Sequence, residues 1–518
     1  MSVKTRIAPS PTGDPHVGTA YVGLFNYVLT KQQGGSFILR IEDTDRARYN
    51  EASEQRILDM MRWLGLEPDE SPEAGGPNGP YRQSERKDVY KKYADELLEK
   101  GALYRAFETS EELEQIRETK GGYDGRSRDI PKEESDKRAA EGEPFVLRLR
   151  TPDEGETSFR DEIRGEVRIP NSEIRDMVML KSDGYPTYHF AVVVDDHLMG
   201  VTHVVRAEEW ITSTPIHKLL YEAFGWDLPK FAHLPLLRNP DENKTKISKR
   251  KLDTSVDSYR EQGILSEALL NFLGNMGWSM PDGREFFALE DMIENFSLER
   301  ISLGGPVFDL KKLRFFNAKY IRDILSLEGV AERVEPFLEA KGLTWEDEDY
   351  LLDVIDVLRP RAETLIDFAE HDYFFKDDFT YSPDAKKKIA GGQTYLQDME
   401  SEFARLDSYD VDSVDDTIRD YVQAQSVGMG KVMQPLRAAL TGKTNAPSVT
   451  DLVSVLGRRR VMARIGRALT TVTDDLPDDN PEKPQKDEKK EAKREKRKDS
   501  EAKGNKPDKN EQEKNEVV

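Results

Sequence analysis

The sequence predicts an α/β protein, in which an N-terminal parallel sheet is split by an α+β insertion and followed by an all-α half and a disordered tail. Three observations carry this prediction. Strand-like and helix-like segments alternate over residues 1–100 and again over 191–255, helical periodicity alone runs over 256–470, and residues 474–518 hold almost no large apolar side chain. A chain of 518 residues has room for about three to five domains.

Residues 5–8 have the character of a short strand, Pro9-Ser10-Pro11-Thr12-Gly13 makes a turn, and the apolar-rich run 17–33 stops at Gly34-Gly35 as a helix does. Residues 36–41 form a second buried strand, and Ile57, Met60, Met61 and Leu64 set helical spacing over 51–64. This βαβα alternation points to a parallel sheet with helices on its faces. A helix is expected over 85–100, with Ser84 as its N-cap and Gly101 just past its end. Residues 101–190 then read differently. Short strands at 145–150 and 177–181 surround a polar, Gly-rich and charged stretch at 119–142, an insertion into the first domain. Strands return at 201–206 and 231–234, with a helix starting near Thr214-Pro215 between them. The Lys/Glu/Asp/Pro-rich residues 474–518 cannot repay their ordering entropy and are expected to be disordered, with a transient ion-paired helix near 486–503.

Charged residues make up 34% and hydrophobic ones 37%, and no run approaches the ~18 to 20 consecutive apolar residues of a membrane helix. The first residues hold no apolar core for an export signal, so a cytoplasmic protein is expected. Without cysteine there is no disulfide, thiol nucleophile or zinc knuckle, and any metal must take oxygen ligands or arrive with a substrate. The net charge of -22 argues against a polyanionic partner. Locally the balance reverses, because residues 426–470 carry Lys431, Arg437, Lys443, Arg458, Arg459, Arg460, Arg464 and Arg467 against the single acid Asp451. Acids beyond a Debye length of ~8 Å do little to cancel such a patch. Taken alone, the segment reads equally as a solvated helix face. The acid excess also suits solubility in high salt.

Two segments hold the candidate chemistry. His16-Val17-Gly18-Thr19 opens a helix after a strand and turn, where free amides and the helix dipole favour phosphate and Gly18 lets a nucleotide approach. An ordinary loop with a surface histidine fits that segment too. Lys244-Thr245-Lys246-Ile247-Ser248-Lys249-Arg250-Lys251 is a basic run that is unremarkable by itself. Both segments lie at carboxyl ends of strands, where open α/β sheets bind ligands. Asp195, Asp196, His197 and His203 have a spacing that fits no helical pair of metal ligands, so no metal site is expected there.

Together with their neighbours these segments are specific. Arg6-Ile7-Ala8-Pro9-Ser10-Pro11-Thr12-Gly13, His16-Val17-Gly18-Thr19, Arg40-Ile41-Glu42-Asp43-Thr44-Asp45, Tyr81-Arg82-Gln83-Ser84-Glu85-Arg86, Asp183-Gly184-Tyr185-Pro186-Thr187-Tyr188, Val205-Arg206-Ala207-Glu208-Glu209 and Lys246-Ile247-Ser248-Lys249-Arg250 resemble the bacterial glutamyl-tRNA synthetases of class I. The resemblance is collinear over about residues 3–470, and the tail lies outside it. It implies an enzyme that activates glutamate with ATP and transfers it to the terminal adenosine of glutamate tRNA, with activation tending to require bound tRNA.

By this resemblance His16, Gly18, Lys246 and Lys249 carry catalysis. ATP is held by His16, Gly18, Glu209, Lys246, Ile247, Ser248 and Lys249. Glutamate is held by Arg6 and Arg206 at its carboxylates and Glu42 at its ammonium, with Ala8, Ser10 and Tyr188 as neighbours. A structural ion pair of Glu42 with Arg40 or Arg46 is the alternative reading of that acid. Arg361 and Arg437 are the anticodon candidates, and a pairing of Arg361 with Glu363 stays open. The implied domains are a Rossmann-type catalytic domain in two parts (1–100 and 191–255), an inserted acceptor-binding domain (101–190), a stem-contact helical domain (256–325), a helical anticodon-binding domain (326–470) and the charged tail (471–518). ATP with Mg²⁺ is expected as substrate, without zinc, in a monomer whose basic segment faces tRNA. The chain departs from the family pattern at Thr19, where the first signature ends in histidine, at Arg250, where the second ends in serine, and at Val192, which is asparagine in some relatives. A non-catalytic tRNA-binding relative, or a tRNA-modifying relative of the catalytic half, is the competing reading.

Overall fold

The computed structural model describes residues 2–120, 122–247 and 253–471. They fall into two compact units, Met1–Lys376 and Asp377–Val518. The expected disorder of residues 474–518 lies outside the described residues, as do Ser248, Lys249, Arg250 and Lys251 of the basic run.

In the first unit, β1 (Lys4–Ile7) is followed by α1 (Val17–Gln32) and β2 (Ser36–Leu39). The two strands pair in parallel with Arg6 opposite Ile38. The apolar face of α1, with Val17, Ala20, Leu24, Phe25 and Val28 all fully buried, covers them. Burying each large side chain there contributes about 1.5 to 3 kcal/mol. Polar contacts set the helix position, since Asn26 Nδ2 donates to Val205 O at 3.0 Å and the Thr5 hydroxyl meets that of Thr30 at 2.6 Å. The glycine stop is steric as well as conformational: Gly34 has φ +59°, and a Cβ on Gly35 would fall 1.7 Å from Val3 O. Next come α2 (Glu51–Trp63) and α3 (Lys87–Glu99). Ser84 is not the cap of α3, contrary to expectation. A 3₁₀ turn at Gln83–Arg86 precedes the helix, Arg86 occupies the cap position without a side-chain cap bond, and the Ser84 amide donates to Asp43 Oδ1 at 2.8 Å.

The segment after α3 contains β3 (Leu103–Ala106), α4 (Ser110–Lys120), α5 (Lys132–Ala140), β4 (Val146–Leu149), β5 (Glu156–Asp161), β6 (Gly165–Pro170) and β7 (Val178–Leu180). Strands β3, β4 and β7 make a separate antiparallel sheet. The hairpin β5–β6 does something the sequence reading did not anticipate. It pairs in parallel with the later strand β9 (Lys230–Leu234) at Asp161 and Phe231, and so joins a four-stranded sheet outside the insertion. Then α6 (Tyr188–Leu198), β8 (His203–Ala207), α7 (Thr214–Phe224) and β9 (Lys230–Leu234) complete the alternation. Strands β8 and β9 are parallel, and β1 lies beside the start of β8, with the Thr202 amide donating to Lys4 O at 2.9 Å. A parallel sheet thus brings the carboxyl ends of β1, β2, β8 and β9 to one edge.

The remainder of the first unit is helical, from Val256–Glu261 to Glu348–Leu358, around Tyr259, Phe272, Phe308 and Phe316. The second unit has helices at Pro383–Ala390, Gln393–Arg405, Val411–Ala424, Met429–Thr441 and Val449–Thr471, the last broken at Gly457, where φ is 66°. Among the described residues, no helix is long and apolar enough to cross a membrane. The basic segment does not present all its cations outward: Arg464, 2% exposed, donates to Leu440 O at 2.8 Å and Asp377 Oδ1 at 2.7 Å.

Candidate active site

A cavity of about 530 Å³ opens at the carboxyl edge of the sheet. Arg6, Ala8, Ser10, His16, Gly18, Glu42, Tyr188, Arg206, Glu209, Lys246 and Ile247 all line it, together with Thr19. Residues up to 241 positions apart in sequence are therefore neighbours in one site, because β1, α1, the end of β2, α6 and β8 deliver them there. Ser248 and Lys249 lie outside the described residues, and Arg361 and Arg437 do not line the cavity. Arg361 is exposed just past the helix Glu348–Leu358, and half-buried Arg437 donates through Nε to Pro447 O at 3.1 Å.

At one side, His16 caps α1. Its Nδ1 accepts the Gly18 amide at 2.9 Å, the Val17 amide donates to Thr254 O at 2.8 Å, and the Thr19 and Ala20 amides donate to His16 O, so the first-turn amides expected to be free for phosphate are all engaged within the chain. Lys246 pairs with Glu209, and both side chains are about half exposed.

At the other side the charges are buried. Arg6 donates through Nε to both Asp196 oxygens at 3.2 Å. Asp196 also accepts Arg40 Nη1 at 2.7 Å, and Arg40, fully buried, contacts Glu42 Oε1 at 3.4 Å and Asp195 at 3.7 Å. Asp195 in turn takes Arg86 Nε at 2.7 Å, Tyr90 Oη at 2.8 Å and Gln83 Nε2 at 2.9 Å. These aspartates are thus the anchors of an arginine lattice. Burial would raise the Asp196 carboxyl, but Arg6 and Arg40 bring it below its usual value. For Glu42 the balance differs: burial dominates over Arg40 and Arg6 and pushes the carboxyl up to about 7. Arg46, the other partner considered for Glu42, pairs with Asp43 instead at 2.7 Å.

Arg206 is 4% exposed and is held by neutral groups. Its Nε donates to His233 Nε2 at 3.1 Å, Nη1 to His217 Nδ1 at 3.2 Å and Tyr188 Oη at 3.3 Å, and Nη2 to Thr214 Oγ1 at 2.8 Å and Trp210 O at 3.3 Å. Among the described residues it has no carboxylate partner, and burial pulls its pKa down. His217 lies well below its ordinary value through burial and then Arg206, and His189, 3.1 Å from His217, is brought to about 4 by the same causes. An enclosed guanidinium whose hydrogen-bond partners are all neutral, with the cation Arg6 close by, calls for an anion from the ligand.

Four residues of this site, Tyr21, Trp210, His233 and Asp161, carry no local sequence signal, and a fifth, Asp196, carries one that points elsewhere. Tyr21 and Trp210 line the cavity, and the Trp210 ring lies 4.4 Å from that of Tyr188. Asp196, His233 and Asp161 act from behind it. The adjacent acids at 195 and 196 were a visible signal, but one that points to a metal as readily as to arginines. Val192 packs into the apolar cluster with Phe190 and Leu220 rather than into the cavity wall.

Parallel strands whose carboxyl ends gather a histidine-capped helix start, a lysine of a basic segment and a cavity lined by Arg6, Glu42 and Arg206 define an enzyme of the α/β class with a charged ligand. Residues 2–315 match the family described as tRNA synthetases class I (E and Q), catalytic domain, and residues 329–469 match an anticodon binding domain. The chain belongs to this family of class I tRNA synthetases. It is 57% identical over 468 residues to the glutamate–tRNA ligase of Thermus thermophilus, covering 90% of this chain and 100% of that one. It is 51% identical over 474 residues to the glutamate–tRNA ligase of Deinococcus radiodurans, covering 90% and 98%. Among solved structures, a glutamate tRNA ligase from Elizabethkingia meningosepticum in complex with its amino acid superposes with a TM-score of 0.82 at 37% identity, covering 91% of this chain and all of that one.

Proposed function

We infer that this chain is a glutamate–tRNA ligase whose cavity joins glutamate to ATP and then to tRNA. The observation that carries the assignment of the pocket is Arg206, a buried guanidinium without a carboxylate of its own, in the same cavity as Arg6, Glu42, His16 and Lys246. The ligand's carboxylates meet Arg206 and the Nη groups of Arg6, and its ammonium meets Glu42, with Ala8, Ser10 and Tyr188 beside it. Charge-assisted hydrogen bonds contribute about 1.5 to 3 kcal/mol each, so neutral glutamine leaves an arginine unsatisfied and is rejected.

ATP arrives as its Mg²⁺ complex. Its phosphates meet His16 and the backbone surface at Gly18 from one side, and Lys246 and Lys249 from the other, with Glu209, Ile247 and Ser248 completing the contacts. A glutamate carboxylate oxygen attacks the α-phosphate and pyrophosphate leaves. A ribose hydroxyl of the tRNA's terminal adenosine then attacks the activated carbonyl and AMP leaves. The substrates bring their own nucleophiles, so the protein contributes position and charge stabilisation.

Residues 101–190 take the acceptor end, 256–325 contact the stem, and 326–470 read the anticodon, with Arg361 and Arg437 as the base readers. The enzyme works as a monomer in the cytoplasm, without zinc. ATP–pyrophosphate exchange with glutamate, with and without tRNA, followed by aminoacylation of purified glutamate and glutamine tRNAs, tests this reading. A folded protein that supports no glutamate-dependent exchange with tRNA present would refute it.

A further inference from the structure

Arg206 and Arg6 face one cavity but are held in different ways. Arg6 is fixed by a full charge on Asp196, whereas Arg206 is fixed by hydrogen-bond acceptors alone, and the acceptor on its Nε is His233 Nε2. An imidazole nitrogen accepts only if it carries no proton, so His233 must be neutral and protonated at Nδ1. The reason for that tautomer lies in the inserted hairpin. His233 Nδ1 donates to Asp161 Oδ2 at 2.6 Å, and the His233 amide donates to the same oxygen at 3.1 Å. Asp161 ends β5, is 1% exposed, and receives the Ile163 and Arg164 amides on its other oxygen at 3.0 and 2.9 Å. Every lone pair facing His233 is thus committed, and the carboxylate cannot rotate away. Both His233 and Asp161 lie outside the cavity wall.

From this geometry we propose that His233 and Asp161 are positioning residues for Arg206. The inserted hairpin, through one carboxylate and one imidazole tautomer, sets the guanidinium that receives a carboxylate of the amino acid. The inference rests on the reading of Arg206 as a ligand contact. If His233 carried its proton on Nε2 instead, two donors would face each other, the proton would turn to Thr214 Oγ1, 3.2 Å away, and Arg206 Nε would lose its acceptor.

Two substitutions at one position separate positioning from packing. In His233→Asn the side-chain amide replaces the Nδ1 donor to Asp161 but offers nothing at the Nε2 position. In His233→Gln the carbonyl oxygen reaches the Nε2 position and restores the acceptor. We expect KM for glutamate to rise about 10- to 100-fold in His233→Asn, as for the loss of one hydrogen bond to a charged group, with KM for ATP within about twofold of the parent, and to recover most of the way in His233→Gln. A folded His233→Asn with the parent's glutamate KM, or equal losses in both variants, would overturn the proposal. Should neither variant fold, ¹⁵N NMR of the histidine-labelled parent still decides: a proton on Nδ1 of His233 supports it and one on Nε2 overturns it. Arg206→Ala serves as the control. If it leaves glutamate KM unchanged, the reading of the pocket itself has failed, which is a different result from an inert His233→Asn beside a crippled Arg206→Ala.

Discussion

Arg40 and Arg6 share the carboxylate of Asp196, which lies 2.7 Å from Arg40 Nη1 and 3.2 Å from Arg6 Nε. One buried acid on α6 thereby holds a guanidinium at the end of β1 and another just past β2. Removing one partner of a buried ion pair typically costs about 3 to 5 kcal/mol, because the remaining charge stays enclosed. Asp196→Asn should therefore lower the stability of the first unit by about 3 kcal/mol in urea melts. In protein that remains folded at low temperature, KM for glutamate should rise more than KM for ATP. A variant with the parent's melting midpoint would show that the lattice is dispensable.

Glu42 gives a pH dependence whose sign differs for stability and for binding. Burial raises its folded value to about 7 from the ordinary 4.5. Between those values the folded chain holds a proton that the unfolded chain has released, so this residue's contribution to stability falls as pH rises through that window and levels off above it. A ligand ammonium favours the ionised carboxylate, so glutamate binding releases a proton and tightens as pH rises. The dissociation constant for glutamate should fall about tenfold between about pH 6 and about pH 8, and the slope should vanish in Glu42→Gln. Calorimetry in buffers of different ionisation enthalpy reads the proton directly. No proton release by the parent would remove Glu42 from the ammonium.

The two halves of this site differ in how far the amino-acid sequence reveals them. Arg6, His16, Glu42, Arg206 and Lys246 sit in short motifs at strand ends, where residue type already states a chemistry, and the alternation of elements says that they share an edge. Asp161, His233 and Asp196 owe their roles to partners 72 and 190 residues away, and no local periodicity encodes such a contact. Helix α5 was hidden for a related reason. Lys132–Ala140 reads KEESDKRAA, with Ser135 as its one buried residue, so it offers no apolar stripe to detect. Strand β5 does alternate, as its burial pattern confirms, but its inward positions include Thr157 and Asp161, which look like surface residues until the partner strand is known.

Gly18 is not among the residues with positive φ. Its requirement for glycine is one of space, since a Cβ there would lie 3.0 Å from His16 Nδ1, the atom that accepts the Gly18 amide. Gly18→Ala should push the imidazole off the first turn of α1 and slow adenylate formation about tenfold or more, with the melting temperature little changed. Single-turnover kinetics with saturating ATP would measure this. The parent's rate in Gly18→Ala would mean that the imidazole position is unimportant to the chemical step.

Lys246 is engaged with Glu209, so a phosphate that recruits it must compete with a carboxylate already in place. Loss of interactions gained mainly as phosphate charge develops lowers the rate more than the affinity. Lys246→Ala and Lys249→Ala should each reduce the rate of adenylate formation by about 100-fold while changing the ATP dissociation constant by less than about threefold. Equal losses in rate and affinity would place these lysines in ground-state binding alone.

The excess of seven positive charges over residues 426–470 overstates what a nucleic acid can meet. Arg464 is buried against Leu440 O and Asp377, Arg467 Nη1 donates to Asp377 O at 2.6 Å with its guanidinium 4.1 Å from the Phe379 ring, and Arg458 donates to Leu406 O. Arg464 and Arg467 tie the helix Val449–Thr471 to the segment 377–379, Arg464 also to Leu440 of the helix Met429–Thr441, and Arg458 to the end of Gln393–Arg405. Lys431, Lys443 and Arg459 are exposed. Each phosphate neutralised adds about 0.7 to 0.9 to the slope of log affinity against log salt. Lys431→Ala should therefore reduce the slope for tRNA binding by about 0.7 to 0.9 without moving the urea midpoint. Arg464→Ala should do the opposite, lowering stability by about 2 kcal/mol through lost hydrogen bonds and packing while keeping the slope. Fluorescence anisotropy of labelled tRNA over a salt series, paired with urea melts of both variants, separates the two roles. If Arg464→Ala flattened the salt dependence and Lys431→Ala left it intact, this division between scaffolding and phosphate-binding cations would be wrong.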